Sequence, residues 1–325
     1  MITKTQKELI VQLEQQGLKF KQFALIHEGD YAVSDADWNY KDVPHLHHVH
    51  MLVEAILGAV GDNEIATINV QKVLWFTIVL SVFNYQSGKD RQTYFTSFGP
   101  YSLIIETSYK EIGEIKTRVT TNYAIGGSRF WMLFFPVLAW LLKRNYADLM
   151  SADIPMRERR GQLRKWGYQF KKTDAYYSFR KTMQITEPNV VPPEGVLPAE
   201  GKTVIDLNKV LPSDGIYFMG RSDHLGLQLI RKGDSLNVFP RMCPHEGALL
   251  DARPCDEQQR LTCPWHGRVF KSLAKFNLKG LTDPIETSEF IFKYSGQILE
   301  VQTKPAKDMK MPASKQSGDT LSCSH

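Results

Sequence analysis

Two short motifs in the last third of the chain combine cysteine with histidine. Cys243 and His245 are separated by one residue, seventeen residues follow, and Cys263 and His266 are separated by two. Thiolates and imidazoles are the side chains that bind soft and borderline metal ions. Zinc fingers place their two cysteines together and their two histidines together. The alternation in this chain therefore favours another metal centre, and a Cys2His2 zinc site is the alternative.

The segment 240–270 closely resembles the Rieske domains of ring-hydroxylating and related oxygenases. The match rests on the two motifs and on the run C-P-W-H-G at 263–267, followed by Phe270. The resemblance implies a [2Fe–2S] cluster with two thiolates on one iron and two imidazoles on the other, a ligand set that raises the reduction potential. Rieske proteins of cytochrome complexes carry an additional cysteine pair. Cys255 has no such partner in place, so the resemblance favours the oxygenase branch.

A second group of candidate ligands lies near the N-terminus. Four of the nine histidines fall within six residues, at His45, His47, His48 and His50, and Asp42 precedes them. The pattern D-x-x-H-x-x-x-x-H resembles the iron-binding segment of Rieske oxygenases. It implies that His45 and His50 bind non-haem Fe(II) together with a later carboxylate, in a triad with open positions for O₂. The resemblance also implies that Asp42 bridges to the cluster histidine of a neighbouring subunit.

The spacing of these histidines does not suit a regular helix. Residues five apart point about 140° away from each other at 3.6 residues per turn. His45 and His50 can share a metal only if the helix is irregular, for example at a π-bulge. His47 with His50, or His45 with His48, are more natural pairs on an ideal helix. The histidines could also form a polar entry to a ligand cavity.

The third iron ligand is expected from a long helix downstream. The segment 152–160 resembles the stretch that supplies the metal-binding aspartate in Rieske monooxygenases, which implies Asp153. Asp148 lies five residues earlier and is the fallback, and Glu158 follows it as a further candidate. Taken alone, an aspartate in a charged helix is usually a solvated residue.

Hydrophobic periodicity predicts an α+β fold for the first half of the chain. A helix with a lead-in is expected over 1–25, helices over 45–60 and about 129–165, the last kinked at Pro136, and a short strand over 31–40. β-branched and aromatic residues predict a series of strands: Ile65–Val70, Val73–Tyr85, Arg91–Phe98, Ser102–Tyr109 and Gly113–Ala124. An antiparallel sheet wrapped on a long helix is a helix-grip (START-like) fold, which encloses a cavity suited to an apolar ligand. Aromatic residues predicted to line it are Trp75, Phe76, Phe83 and Tyr94, although for each one taken singly a core position is the more common role.

The predicted domain organisation has four parts. Residues 1–184 form the helix-grip catalytic or ligand-binding domain, and the proline-rich stretch 185–202 is a linker. Residues 203–303 form a mostly β Rieske domain, and 304–325 form a polar, disordered tail. The order of the two domains is reversed relative to the usual order in the resembling family.

Composition restricts the partners and the compartment. The net charge of +5 over 325 residues is too small for a nucleic-acid footprint and suits weak attraction to acidic partners or membrane surfaces. Four cysteines, two of them in the motifs, make a poor disulfide framework and indicate a reducing compartment. We therefore expect a cytoplasmic protein without a secretory signal, with membrane association as an option.

The apolar stretch 130–142 is too short to span a bilayer. A buried core helix is expected there, and a helix that touches a membrane through Lys143 and Arg144 is the alternative.

The leading hypothesis is a Rieske non-haem iron oxygenase that hydroxylates or dealkylates its substrate; monooxygenation is preferred, and dioxygenation stays open. The resemblance implies a separate reductase or ferredoxin as electron donor from NAD(P)H, an apolar small-molecule substrate with O₂, and a homo-oligomer such as a trimer. Two alternatives stay open. One is a Rieske electron carrier or redox sensor fused to a lipid-binding helix-grip domain without a second iron. The other is a cyclase-like module whose histidines act as acid–base groups.

Overall fold

The computed structural model describes residues 4–50, 53–73, 76–171, 177–185, 187–193, 201–251, 253, 255–280 and 282–304. These residues divide into two compact units. The first contains the described residues of Met1–Pro193, Ser222–His224 and Arg241–Phe270, and the second contains the remainder. The segment with both Cys–His motifs therefore belongs to the same unit as the N-terminal sheet and helices. The predicted domain limits stay a prediction.

The elements up to residue 193 are helices around one large sheet. The helices are α1 (Gln6–Glu14), α2 (Val33–Lys41), α3 (Val43–Val49), a 3₁₀ turn (Trp131–Phe134), α4 (Phe135–Lys165) and α5 (Phe179–Met183). The long strands are β1 (Lys19–Gly29), β2 (Val53–Val60), β3 (Glu64–Val73), β4 (Phe76–Gly88), β5 (Arg91–Phe98), β6 (Tyr101–Gly113) and β7 (Lys116–Gly127). Two short strands, β8 (Gln169–Phe170) and β9 (Val190–Val191), pair with each other.

The seven long strands form one antiparallel sheet in the order β1-β7-β6-β5-β4-β3-β2. Side chains alternate between its faces, as the period of two requires. Ile104 and Ala124 pack beneath Ile10 of α1. Tyr123 and Ile125 pack on the opposite face with side chains of α4. This unit is the predicted α+β, helix-grip-like arrangement of a seven-stranded sheet with a long helix. All five predicted strands are present, Arg91–Phe98 with the predicted limits and the other four with shifted ends.

The predicted strand over 31–40 is wrong, because Val33–Lys41 forms α2. The aromatic residues of the segment suggested a strand by propensity, but ionic contacts favour the helix. Asp35 lies in the first turn, where its carboxylate accepts a hydrogen bond from the backbone N–H of Ala32 at 3.2 Å. The same buried carboxylate is ion-paired with Arg160 of α4 at 2.9 Å. Tertiary pairing therefore overrides local propensity.

The predicted helix over 45–60 is too long, and the helix predicted within 1–25 is followed by the first strand of the sheet. α1 ends at Glu14, Gly17 adopts a left-handed φ of +91°, and β1 follows from Lys19. α3 ends at Val49, and Val53–Val60 becomes β2, paired with β3. In both places β-branched or alternating residues follow the helix and complete an edge of the sheet.

Proline positions in the long helix differ from the prediction. Pro136 lies in the first turn of α4, where its missing N–H costs no hydrogen bond, so it starts the helix and does not kink it. Pro155 is the proline inside the helix. The expectation that 130–142 is simply a buried core helix is also wrong, because Leu133 and Trp140 are exposed. Within the described residues, no helix is both long and apolar enough to cross a membrane.

The remaining elements lie between residues 201 and 304. They are β10 (Lys202–Asp206), α6 (Leu207–Val210), β11 (Gly215–Met219), β12 (Leu227–Lys232), β13 (Ser235–Pro240), β14 (Leu261–Thr262), β15 (Val269–Phe270), β16 (Ala274–Asn277), β17 (Thr282–Glu286), β18 (Phe290–Ser295) and β19 (Ile298–Thr303). The second unit has two four-stranded antiparallel sheets, β10-β19-β18-β17 and β11-β12-β13-β16. Leu229, Val238 and Phe292 belong to its core. The predicted tail beyond residue 304 and part of the predicted linker, 194–200, lie outside the described residues.

Gly161 is the point of closest backbone approach in the first unit. A Cβ at this position of α4 would lie 1.9 Å from the backbone oxygen of Asp30 and 2.9 Å from the Cα of Tyr31. Gly→Ala inside a helix ordinarily stabilises by about 1 kcal/mol. We predict that Gly161→Ala instead destabilises the protein by about 1–3 kcal/mol, because backbone must move. Urea unfolding checks this, with Ser151→Ala, at an exposed position of α4, as the control. An increase in stability for Gly161→Ala would contradict the close packing.

Candidate metal centres

The two Cys–His motifs form two turns of the same construction. In the first, the backbone N–H of Gly247 donates to the carbonyl of Cys243 at 2.9 Å; in the second, Gly267 donates to Cys263 at 3.0 Å. Both glycines have left-handed φ, +86° and +64°, which favours glycine over residues with a Cβ. A Cβ on Gly247 would also meet the buried side chain of Leu163 at 2.3 Å. Each turn therefore presents one cysteine and one histidine side by side.

The four side chains of these turns have the donor set of a metal centre. Cys243 and Cys263 are buried, free thiols. The rings of His245 and His266 lie 4.9 Å apart, and the Nδ1 atom of each is buried without a hydrogen-bond partner. The Nε2 atoms are occupied, because His245 donates to the carbonyl of Ile185 and His266 donates to a carboxylate. Both imidazoles thus keep Nδ1 for a metal, as the two-thiolate, two-imidazole ligand set of a [2Fe–2S] cluster requires.

The protein surroundings favour the ligand forms of Cys263 and His245. The hydrogen bond from Cys243, assisted by backbone N–H groups of Trp265 and His266, lowers the pKa of Cys263 to about 6 against the effect of burial. Burial lowers the pKa of His245 to about 4, so this imidazole is neutral at physiological pH. Metal ligands must be deprotonated thiolates and neutral imidazoles.

The pKa values of the other two groups, Cys243 and His266, are raised. The hydrogen bond to Cys263, together with burial, raises the pKa of Cys243 well above its usual range, and, against the effect of burial, the charge of Asp42 raises the pKa of His266. A bound cluster would displace the protons of these two groups. The residues present therefore fit the cluster.

A buried ionic network holds the first turn against α4. The guanidinium of Arg160, itself fully buried, donates to the carboxylate of Glu246, the residue after His245. It also pairs with Asp35 at 2.9 Å and lies over the rings of Trp38 and Phe170 at 4.1 and 3.7 Å. The ring of Trp38 in turn contacts that of Trp265 in the second turn, with centroids 5.8 Å apart. Both turns are therefore packed into the core of the first unit.

Three of the predicted iron ligands come together in the same unit. His45, His50 and Asp153 are all buried, and their ligand atoms lie within 4.8 Å of one another. The Nε2 atoms of His45 and His50 contact Oδ1 of Asp153 at 3.2 and 3.0 Å. These two imidazoles and one carboxylate form the triad.

The end of α3 explains how two histidines five residues apart can converge. Val49 is the last residue of the helix, and His50 already has a non-helical backbone, with φ −100° and ψ 89°. The angle of about 140° between such residues applies only within a regular helix. Because the helix stops between the two histidines, no π-bulge is needed to turn the ring of His50 toward that of His45. Their ring centroids lie 5.3 Å apart.

Charges around the triad are arranged to hold Asp153 ionised. Burial opposes ionisation, but the hydrogen bonds from His45 and His50 and the positive charge of Arg157 hold the pKa of Asp153 well below its usual range. Burial also lowers the pKa of His45, but hydrogen bonds to Asp153 and Asp42 outweigh it and raise the pKa to about 10. The triad is thus an anionic carboxylate between two histidine rings. A cation bound here would replace the proton that His45 shares with Asp153.

Arg157 is the side chain that supports Asp153. It lies one turn further along α4, and its Nη2 is 3.5 Å from Oδ2 of Asp153. Its Nε donates to Oδ1 of Asn39 at 2.7 Å, and the guanidinium lies 4.3 Å from the ring centroid of Tyr40. Contacts with α2 therefore hold Arg157 in position, and Arg157 in turn supports the carboxylate of Asp153.

Asp42 contacts a histidine of each centre. Its Oδ2 accepts a hydrogen bond from Nε2 of His266 at 2.6 Å and lies 3.6 Å from Nδ1 of His45. The backbone carbonyl of Asp42 also accepts a hydrogen bond from Nδ1 of His45. Burial opposes ionisation, but the charge and hydrogen bond of His266 hold the pKa of Asp42 well below its usual range. The resemblance implied a contact with a neighbouring subunit, whereas this contact lies within one chain.

The other predicted site residues lie apart from the triad. Asp148 and Glu158 are exposed on α4, so neither supplies a ligand to this arrangement. His47 and His48 are exposed beside each other, with ring centroids 5.0 Å apart. Of the aromatic residues predicted to line a cavity, Phe83 and Tyr94 are half-buried, and Trp75 and the side chain of Phe76 lie outside the described part of the chain.

Sequence reasoning missed the buried charges that support both centres. Arg157 and Arg160 are completely buried, although four charged residues in a row, 157–160, suggested a solvated helix face. The signal that could have found them is their spacing. Asp153, Arg157 and Arg160 follow each other at intervals of four and three, which places them on one face of a helix.

Comparisons with known proteins identify one domain. A family model for the Rieske [2Fe-2S] domain matches residues 204–288, a range that includes all four cluster-ligand candidates. Similar solved structures include the Zhui aromatase/cyclase from Streptomyces sp. R1128, 11% identical over 44% of this chain and 96% of that chain, with a TM-score of 0.39. Norcoclaurine synthase from Thalictrum flavum is 13% identical over 44% of this chain and 90% of its own, with a TM-score of 0.34. Dicamba monooxygenase is 14% identical over 51% of this chain and 57% of its own, with a TM-score of 0.37. No curated protein sequence matches the chain.

Proposed function

We propose that this protein is a Rieske-type non-haem iron oxygenase that carries both metal centres in one chain. The observation that carries the proposal is the position of Asp42. Its carboxylate accepts a hydrogen bond from His266, a cluster ligand, and lies 3.6 Å from Nδ1 of His45 in the triad. A Rieske domain supports the handling of single electrons, and a buried pair of histidines with a carboxylate supports a second metal site.

Each residue has a separate part in this proposal. The thiolates of Cys243 and Cys263 hold one iron of the cluster, and the Nδ1 atoms of His245 and His266 hold the other. His45, His50 and Asp153 hold Fe(II) as a two-histidine, one-carboxylate triad. When bound, the cluster supplies single electrons and the mononuclear Fe(II) supplies a centre that activates O₂.

The protein side chains between the centres orient the ligands and hold protons. Asp42 fixes the ring of His266 by accepting its Nε2–H, which leaves Nδ1 for the cluster. Its backbone carbonyl accepts Nδ1–H of His45, which leaves Nε2 of His45 for the mononuclear metal. Partners of this kind raise the basicity of metal-bound histidines. The hydrogen bonds from both triad histidines, together with the charge of Arg157, keep the carboxylate of Asp153 ionised. A separate reductase or ferredoxin would supply electrons from NAD(P)H, and the substrate would be an apolar small molecule oxidised by mono- or dioxygenation.

Metal content tests the proposal directly. We expect anaerobically purified protein to contain three irons and two acid-labile sulfides per chain, since the cluster contributes two of each and the triad one iron. His45→Ala should lose one iron and keep the visible absorption of the cluster. Asp148→Ala, which removes an exposed carboxylate of α4, is the matched control and should keep all three.

The same experiment distinguishes the second candidate function. Both triad histidines contact Oδ1 of Asp153, at 3.2 and 3.0 Å, so hydrogen bonds can hold the three groups together. These contacts also suit a Rieske electron carrier or redox sensor in which the triad is structural. Two irons per chain in the unmutated protein, unchanged in His45→Ala, would replace the oxygenase by this carrier.

A further inference from the structure

The start of α4 carries a cluster of large apolar side chains on the protein surface. Leu133 is 72% exposed and Trp140 58%. We call the whole set the aromatic patch: Phe130, Trp131, Leu133, Phe134, Val137 and Trp140. Single exposed apolar residues are ordinary, but contiguous apolar surface of this kind marks an interaction site. Six such side chains within eleven residues therefore need a partner.

The folding of the first unit does not require these residues to be apolar. The opposite face of the same helix, with Phe135, Leu138 and Leu142, packs against the sheet. Met132 and Ala139 are buried beneath the patch. Trp131 is held in place by the ring of Tyr101, whose hydroxyl donates to the Trp131 carbonyl at 3.0 Å. The helix is thus already anchored by its inner face, and the patch is a second apolar face.

The charged residues that flank the patch along the chain are positive. Arg129, Lys143 and Arg144 are exposed within or beside it in sequence, and the guanidinium of Arg144 lies 5.9 Å from the ring of Trp140. Lys21 of β1 reaches over the ring of Phe135 at 5.3 Å. No aspartate or glutamate occurs between Glu114 and Asp148. The surface therefore combines exposed aromatic and aliphatic side chains with a basic rim.

We infer that the aromatic patch docks the protein onto the surface of a bilayer that contains anionic lipids. Tryptophan and phenylalanine partition into the interfacial region of a bilayer, while lysine and arginine contact the phosphates of anionic headgroups. The eleven residues 130–140 comprise a turn residue, the 3₁₀ turn and the start of α4. At roughly 1.5–2.0 Å per residue they rise at most about 22 Å, less than the hydrocarbon thickness of about 30 Å, so the segment lies in the interface and does not cross it. A two-fold contact with a second copy would place one basic rim against another, which disfavours that occupant.

Vesicle sedimentation of the full-length holoprotein tests this inference. Vesicles of phosphatidylcholine with phosphatidylserine should sediment most of the protein, and pure phosphatidylcholine should bind it at least tenfold more weakly. Leu133→Ser combined with Trp140→Ser should lower binding to the mixed vesicles at least tenfold. Lys143→Glu combined with Arg144→Glu should abolish the preference for phosphatidylserine, because the basic rim is reversed in charge.

A matched control separates the patch from general hydrophobicity. Ile26 and Val79 lie on the sheet with exposed fractions of 63% and 62%, close to those of the patch residues. Ile26→Ser combined with Val79→Ser should leave vesicle binding unchanged, and cluster absorption and circular dichroism should be the same in all variants. Absence of binding to both vesicles, or equal binding by the patch variant, overturns the inference. Conversion of a dimer to a monomer by the patch variant, without vesicle binding, would assign the patch to a second copy.

Discussion

Asp42→Asn is expected to leave both metal centres filled and to slow the O₂-dependent oxidation of the reduced holoprotein by about 10–100-fold, the usual cost of losing a hydrogen-bond partner of a metal-bound histidine. Asparagine keeps the size of the side chain but removes the charge that faces His266 at 2.6 Å and His45 at 3.6 Å. Stopped-flow absorption of the chemically reduced protein mixed with O₂ measures the rate, and iron and sulfide counts verify the content.

A second readout distinguishes an electronic role of Asp42 from a merely structural one. Removing a negative charge beside a cluster ligand should raise the reduction potential of the cluster, because the reduced form carries one more negative charge. Asp148→Asn removes an exposed carboxylate from α4 and should change neither the rate nor the potential. An Asp42→Asn protein with the same oxidation rate and potential as the unmutated protein would eliminate Asp42 as the link between the centres.

Arg160→Met is expected to have the largest effect on stability, about 3–5 kcal/mol, because it leaves a buried carboxylate without its cationic partner. Glu246 loses the guanidinium and keeps the hydrogen bond from the amide of Asn189, at 3.0 Å. Asp35 retains Arg164 at 2.7 Å. The unpaired group is therefore mainly Glu246, next to the cluster ligand His245. Burial raises the pKa of Glu246 to about 7 even beside Arg160, so the loss of stability should be largest above that pH, where the carboxylate would be charged in the unmutated protein. Urea unfolding followed by circular dichroism and by cluster absorption measures the loss, and we expect the cluster signal to disappear first.

Two further variants test the reason for this effect. Arg160→Met combined with Glu246→Gln should recover at least half of the lost stability, because the unpaired charge is removed together with its partner. Arg118 and Glu28 form an ion pair at 2.6 Å with both side chains largely exposed. Arg118→Met should cost less than about 1 kcal/mol, the value for surface pairs. Equal losses of unfolding free energy for Arg160→Met and Arg118→Met would show that burial does not increase the contribution of the Arg160 network to stability.

The features that the sequence predicted are those carried by local pattern. The Cys–His turns could be identified because each pair lies within three or four residues, and the strands because β-branched and aromatic residues run along them. Asp153 was preferred to Asp148 by resemblance, and the helix explains why both could not serve. They lie five residues apart on α4, so one faces the triad and the other is exposed.

The features that the sequence did not predict depend on distant residues. α2 was assigned as a strand because its stabilising partner, Arg160, is 125 residues away from Asp35. The convergence of His45 and His50 depends on a helix that ends at Val49, and the following β2 is specified by its pairing with β3. The exposure of Leu133 and Trp140 could not be predicted either, since hydrophobicity alone does not tell which apolar face of a helix is covered.

The most direct test of the account is electron paramagnetic resonance on anaerobically purified, reduced protein treated with nitric oxide. Nitric oxide occupies the open positions of a mononuclear Fe(II) and gives it a high-spin signal that is distinct from that of the reduced cluster. The account predicts both signals at a ratio of one to one per chain, with the nitric oxide signal absent from Asp153→Ala. A cluster signal alone in the unmutated protein, with no high-spin signal, would contradict it.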